Sequence, residues 1–124
     1  IEEHEAGRMS LYLHAERARL LAEAAAIEGD FRAAAEGFDQ AQVAFRRVGR
    51  FDESAAALEA AAHAWHQSGD TVHAARGLYR AARIRQGLGQ RDRAASLADT
   101  CARWAREAGD TLLLRGIESE IGLE

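Results

Sequence analysis

The chain has 124 residues, enough for one domain with a sizeable core, and a formal net charge of −4. Alanine supplies 29 residues and proline none, a mix that favours helix and argues against a β-sandwich or barrel. The negative balance disfavours a dedicated nucleic-acid binder, no apolar run approaches the ~20 residues of a membrane span, and the lone Cys101 leaves no internal disulfide and fits a reducing, cytoplasmic setting.

Taken in chain order, residues 1–9 read as an N-terminal tail or a helix extension. They open on Ile1-Glu2-Glu3-His4-Glu5, acidic where a secretion signal is basic, and a start at Ile1 predicts a trimmed chain or a piece of something longer. A first helix is expected over about 10–28, ended by Gly29. Asp30 then opens a helix over about 30–48, its carboxylate placed to accept backbone N–H groups of the first turn. Gly49 ends that helix, and the next runs over about 51–68 with its aspartate two residues later, at Asp52. Gly69-Asp70 introduces a helix over about 70–88, Gly89 and Asp92 one over about 91–108, and Gly109-Asp110 a closing helix over about 110–122, within a closing segment 110–124.

The five glycines stand twenty residues apart, and the aspartate that follows them directly recurs every forty. The true unit is therefore a pair of helices, and a fixed period of this size marks stacked copies of one supersecondary element. Gly37 and Gly77, also forty apart, fall in mid-helix, where glycine costs about 1 kcal/mol against alanine and marks a close backbone approach. Counting from each glycine, the sixth residue is Ala35, Ala55, Ala75 or Ala95. The ninth is Phe38, Leu58, Leu78 or Ala98, and the twelfth Ala41, Ala61, Ala81 or Cys101. Steps of three put these positions on one helix face, the expected core, with Phe45, Trp65, Ile84, Leu88, Leu97 and Trp104 filling the remaining volume.

The segment Gly49-Arg50-Phe51-Asp52-Glu53-Ser54-Ala55 resembles the inter-helix turn of the tetratricopeptide-repeat (TPR) family. Gly89-Gln90-Arg91-Asp92-Arg93-Ala94 is a second copy without the aromatic residue, and Gly29-Asp30-Phe31-Arg32-Ala33-Ala34 fits as well, so either set of turns is a candidate for the inside of a hairpin. The resemblance spans residues 10–124, with a forty-residue unit in place of the common ~34 and no proline at the repeat end. It implies a single domain over 1–124, built as a right-handed α-solenoid of about three antiparallel hairpins. It also implies a concave groove lined by the first helix of each hairpin. Laid onto this sequence, the pattern turns Arg76, Tyr79, Arg83 and Gln86 toward that groove, with Glu36, Asp39, Val43, Arg46 and Arg47 from the preceding equivalent helix. The peptide-binding set expected from it is Arg46, Arg47, Arg76, Tyr79, Arg83 and Gln86, suited to an acidic or carboxylate-bearing peptide. The Lys/Asn set of the carboxylate-clamp TPR proteins is missing, so the resemblance does not extend to chaperone tails.

Nothing in the sequence organises a catalytic centre, and no enzyme activity, cofactor or metal is expected. His63 and His66 share a helix face and His73 follows in the next helix, but no cysteine or acidic cluster joins them at zinc-ligand spacing, which favours plain surface roles. Cys101 replaces an alanine of the repeat and reads as a small buried residue. The leading expectation is a scaffold binding a peptide or helix. The alternatives are self-association, with a homodimer formed through the terminal helices, and a regulatory domain of a larger signalling or transcription protein. The dimer expectation rests on Leu112, Leu113, Leu114, Ile117, Ile121 and Leu123 in the closing helix.

Overall fold

The computed structural model describes residues 2–120, with side chains described over 5–119. Its elements are α1 (Glu2–Ile27), α2 (Phe31–Arg47), α3 (Phe51–Gln67), α4 (Thr71–Gly87), α5 (Arg91–Ala108) and α6 (Thr111–Glu120). The described residues contain no strand, and none of their helices is long and apolar enough to cross a membrane. Each helix packs on its neighbours in sequence, with α6 holding α5 more lightly than the others hold one another.

The turns fall at the five spaced glycines, whose φ runs from 71° at Gly109 to 95° at Gly69. One closure serves all five. At Gly49 the glycine N–H donates to the Arg46 carbonyl at 3.0 Å, and the Arg50 N–H reaches back to the Phe45 carbonyl at 2.9 Å. The same two bonds recur at Gly29, Gly69, Gly89 and Gly109. This pairing satisfies carbonyls that a helix end leaves open, and it needs a left-handed residue at the turn, which glycine adopts without a Cβ clash.

Helix starts divide into the two expected kinds. The side chains of Asp30, Asp70 and Asp110 accept the backbone N–H of Ala33, His73 and Leu113 at 3.2, 3.1 and 3.2 Å. Arg50 and Gln90 give α3 and α5 no side-chain cap. There Asp52, Glu53 and Asp92 sit in the first turn, where a carboxylate favours the positive end of the helix.

Three expectations are corrected. Helix α1 begins at Glu2 rather than near residue 10, so the segment before it is a helix extension. Met9 holds the place of the repeat glycine, and a residue with a Cβ does not readily take the left-handed turn, so the helix runs through. Ala95 is exposed although its counterparts Ala35, Ala55 and Ala75 are buried. Ala95 lies near the start of α5, at the end away from the Gly109 turn from which α6 departs. Leu88, placed in the core by its pattern, is 42% exposed beyond the end of α4. Ile121 and Leu123 lie outside the described residues.

The remaining core positions are filled as the spacing requires. Phe38, Leu58, Leu78, Ala98, Ala41, Ala61, Ala81 and Cys101 are all buried, and Phe45, Trp65, Leu97 and Trp104 join them. The mid-helix glycines mark the tightest crossings. A Cβ on Gly37 would lie 2.9 Å from Ala22 Cβ, and one on Gly77 would lie 3.4 Å from Ala62 Cβ. Ala22 and Ala62 are themselves forty residues apart, so α1 crosses α2 as α3 crosses α4. Enlarging a residue at such contacts forces backbones apart. Ala61→Leu and Ala81→Leu are each expected to lose about 1–3 kcal/mol, whereas Gln67→Leu, on an exposed site of α3, should stay near the wild-type urea midpoint. Equal midpoints for all three variants would show that the alanines do not sit at helix contacts.

Candidate functional site

Helix α4 presents its charged residues on two different sides. Arg76 and Arg80, one turn apart, line a cleft of about 280 Å³ between α2 and α4. Asp39, Gln42 and Val43 of α2 form the facing wall, and Leu58, Ala61, Ala62 and Trp65 of α3 form the floor. Tyr79 points elsewhere: it is half-buried against the core, and its hydroxyl lies beside Gly116 of α6. The Arg83 guanidinium stands 5.9 Å from the Tyr79 ring centroid, at the outer limit of a cation–π contact. Gln86 is exposed in the last turn of α4.

Arg46 and Arg47 occupy the last turn of α2, which favours cations. Arg47 lines a second cleft, of about 480 Å³, between α1 and α2, beside Leu11 and His14. Asp39 and Val43 border both clefts. The two clefts therefore adjoin across α2, from Arg47 to Arg80. Of the six residues expected to bind a peptide, Arg47 and Arg76 line these clefts, whereas Tyr79 lies beside α6 with Arg83 near its ring.

Neighbouring groups fix the cleft. The Trp65 indole N–H donates to Asp39 Oδ2 at 3.0 Å, tying the floor to the α2 wall. The His73 ring stacks on Trp65 with centroids 4.4 Å apart and planes inclined by 12°. His73 in turn meets Asp70, whose carboxyl is held below the usual carboxylate range chiefly by the His73 backbone N–H. Arg76 lies 2.9 Å from Asp110 Oδ2 in an ion pair. Gln42 is the unusual member. It is 3% exposed, and its carboxamide oxygen has no hydrogen-bond partner.

The opposite side of the stack is tied by rings and charges between alternate helices. His66 of α3 stacks on Trp104 of α5 at 4.2 Å and 8°, and His63 meets the same indole edge-on at 5.2 Å and 86°. Burial, with the positive neighbours His66 and Arg93, lowers the His63 pKa against the opposing pull of Glu59. A base with a lowered folded pKa binds its proton more readily when unfolded, so its contribution to stability is complete above pH 6.5 and is lost as pH falls through the folded value. No three His, Cys, Asp or Glu side chains among the described residues are grouped to hold a metal ion. Cys101 donates from Sγ to the Ala75 carbonyl at 3.0 Å, and burial, with the charge of Asp110, pushes its thiol up to about 12. Such a thiol stays protonated and packs as a small apolar group.

The cleft residues that the expected binding set left out include Arg80, Gln42 and Trp65. A signal for Gln42 was present: the residue forty positions on is Ala82, fully buried, so the repeat asks for a small apolar side chain where α2 carries a carboxamide. Comparison with protein-family models, with curated proteins and with solved structures found no match to this chain.

Proposed function

We propose that the chain is a protein-interaction module, a right-handed TPR-like α-solenoid whose concave surface holds an acidic segment of a partner protein. Five identically closed turns, the forty-residue recurrence of buried positions, and side-chain contacts between alternate helices support the solenoid reading. The observation that carries the binding role is the pair of clefts adjoining across α2, from Arg47 to Arg80. It combines an apolar floor containing Trp65 with guanidinium groups along its rim. Arg forks pair carboxylates in two-point fashion, and an indole floor supplies apolar contact, the combination that dominates binding at protein interfaces.

A peptide array probed with the purified domain tests this. Hits are expected to be enriched in Asp and Glu, to weaken with added salt, and to lose about tenfold in affinity with Arg76→Ala or Arg80→Ala. Arg80→Lys should already weaken binding, because an ammonium cannot copy the fork. Hits without acidic bias, or affinities indifferent to both alanine variants, would reduce Arg76 and Arg80 to a solvated helix face.

A second reading, self-association through the terminal helices, is favoured by α1 more than by the closing helix. In α6 Leu113 and Ile117 are buried in the core and Leu114 is partly buried, which leaves Leu112 exposed. On α1, by contrast, Met9, Leu13, Leu20, Leu21 and Ile27 are 56–87% exposed, with Leu13, Leu20 and Ile27 at heptad spacing. Such a stripe is an association surface for a second copy. Sedimentation equilibrium is expected to show a dimer at high micromolar concentration that Leu13→Glu/Leu20→Glu returns to monomer. A wild-type protein that stays monomeric there would rule the stripe out as a self-association surface.

A further inference from the structure

The α2–α4 cleft has two walls of opposite character. On α2, Asp39 and Gln42 stand three residues apart, so helix geometry puts a carboxylate and a carboxamide side by side. On α4, Arg76 and Arg80 stand four apart along the facing wall, Arg80 exposed and Arg76 57% exposed with one guanidinium nitrogen 2.9 Å from Asp110 and the rest of its fork open. The α2 wall carries negative charge and offers the Asp39 and Gln42 oxygens as acceptors, with the Gln42 NH2 as its one donor group; the α4 wall only donates and carries positive charge. The apolar floor of Leu58, Ala61, Ala62 and Trp65 lies between them. The volume, about 280 Å³, is at the small end of ligand pockets.

Gln42 decides what this arrangement is for. Buried polar atoms are almost always hydrogen-bonded, and an exception asks for a partner. The Gln42 carboxamide oxygen is such an exception, in a residue 3% exposed that lines the cleft. Packing does not demand a glutamine there, since Ala82 fills the same register of the repeat at 0% exposure. Asp39 likewise has an oxygen to spare, because Trp65 engages only Oδ2.

We propose that this cleft binds a small zwitterion of the free α-amino acid class. Its ammonium group donates to Gln42 Oε1 and Asp39. Its carboxylate is held by Arg76 and Arg80, and its side chain lies on the Trp65 floor. This inference rests on the reading of the cleft as a binding surface, and it adds regulation: a bound zwitterion occupies the place of an acidic partner segment and competes with it. An interior peptide segment carries neither terminal charge, and a chain end carries only one, so neither satisfies both walls.

Isothermal titration of the domain with the standard L-amino acids tests the proposal, each one run beside its N-acetyl and its carboxamide derivative. At least one free amino acid is expected to bind below about 10 mM, to shift the Trp65 indole N–H resonance, and to lose about tenfold or more when either end is capped. Gln42→Ala, which copies Ala82, should retain the wild-type thermal midpoint and lose the binding, and Arg80→Ala, on an exposed site, should lose it too. The proposal is overturned if no free amino acid binds, if N-acetyl or carboxamide forms bind as well as the free one, or if Gln42→Ala either binds normally or fails to fold. Acidic peptides that bind wild type and Gln42→Ala equally, without competition from any amino acid, would overturn this proposal while leaving the protein-interaction reading standing.

Discussion

Replacing Arg85 with alanine is expected to lower stability by about 3 kcal/mol, the lower end of the ~3–5 kcal/mol range for breaking a buried ion pair. Its guanidinium Nε donates to Glu59 Oε2 at 2.8 Å, with side chains 11% and 7% exposed. The same group holds Asp52, and it donates to Gln90 at 2.9 Å, so it joins the middle of α3, the first turn of α3 and the start of α5. Without Arg85, Glu59 keeps only Arg93, which is 55% exposed and well screened. A lone carboxylate then remains in a poorly solvated place, which is where most of the loss arises. Removing both charges is a different matter. The pair Glu59→Leu/Arg85→Met is expected to recover most of the stability, because apolar residues of similar volume need no compensation. Urea titration of the two single variants and the double variant checks this as a thermodynamic cycle. A loss under about 1 kcal/mol for Arg85→Ala would show that water reaches Glu59.

Phe45→Ala is expected to cost about 3–5 kcal/mol. Phe45 is fully buried at the end of the stack formed by α1, α2 and α3, amid Ala15, Ala18, Ala41, Ala44 and Ala57. The Tyr12 ring meets it edge-on at 5.9 Å and 65°. Alanine neighbours have no side chain to swing into a void, so the cavity stays open and the loss falls in the upper part of the range. The Phe45 carbonyl also anchors the Gly49 turn through the Arg50 N–H at 2.9 Å, but that bond is main-chain and survives the substitution. The variant should therefore shift the midpoint without changing helix boundaries, as read by circular dichroism at low denaturant. A midpoint shift smaller than that of Ala61→Leu would contradict the placement of Phe45 at the centre of this cluster.

Much of the fold was legible because its signals are local. A glycine that must take positive φ, a carboxylate that caps three residues on, and a run of small residues at steps of three each report through contacts within one turn. Gly37 and Gly77 could be read as close approaches for the same reason, although only the structure names Ala22 and Ala62 as what they approach. Ala95 and Leu88 were misplaced because their burial depends on what the rest of the fold brings against them. The pattern within a helix is the same whether or not a neighbour is present. The apolar face assigned to the closing helix shows the converse: Leu113 and Ile117 serve the chain's own core, while the open stripe is on α1.

The candidate site was legible only in part. The sequence alone determined that α4 carries Arg76, Tyr79, Arg80 and Arg83 within two turns, and that α2 carries Asp39 and Gln42 three residues apart. Helix periodicity fixes the angles between such residues, but not the rotation of the helix about its own axis. That rotation was decided by tertiary packing. The seating of Gly77 near Ala62 and of Tyr79 beside Gly116 sets Arg76 and Arg80 along the cleft that faces α2, with Arg76 also paired to Asp110, and leaves Tyr79 beside α6 with Arg83 near its ring. Local bonds thus set where each helix begins and ends, whereas the cleft exists only once three consecutive helices fold back on one another and bring their faces together.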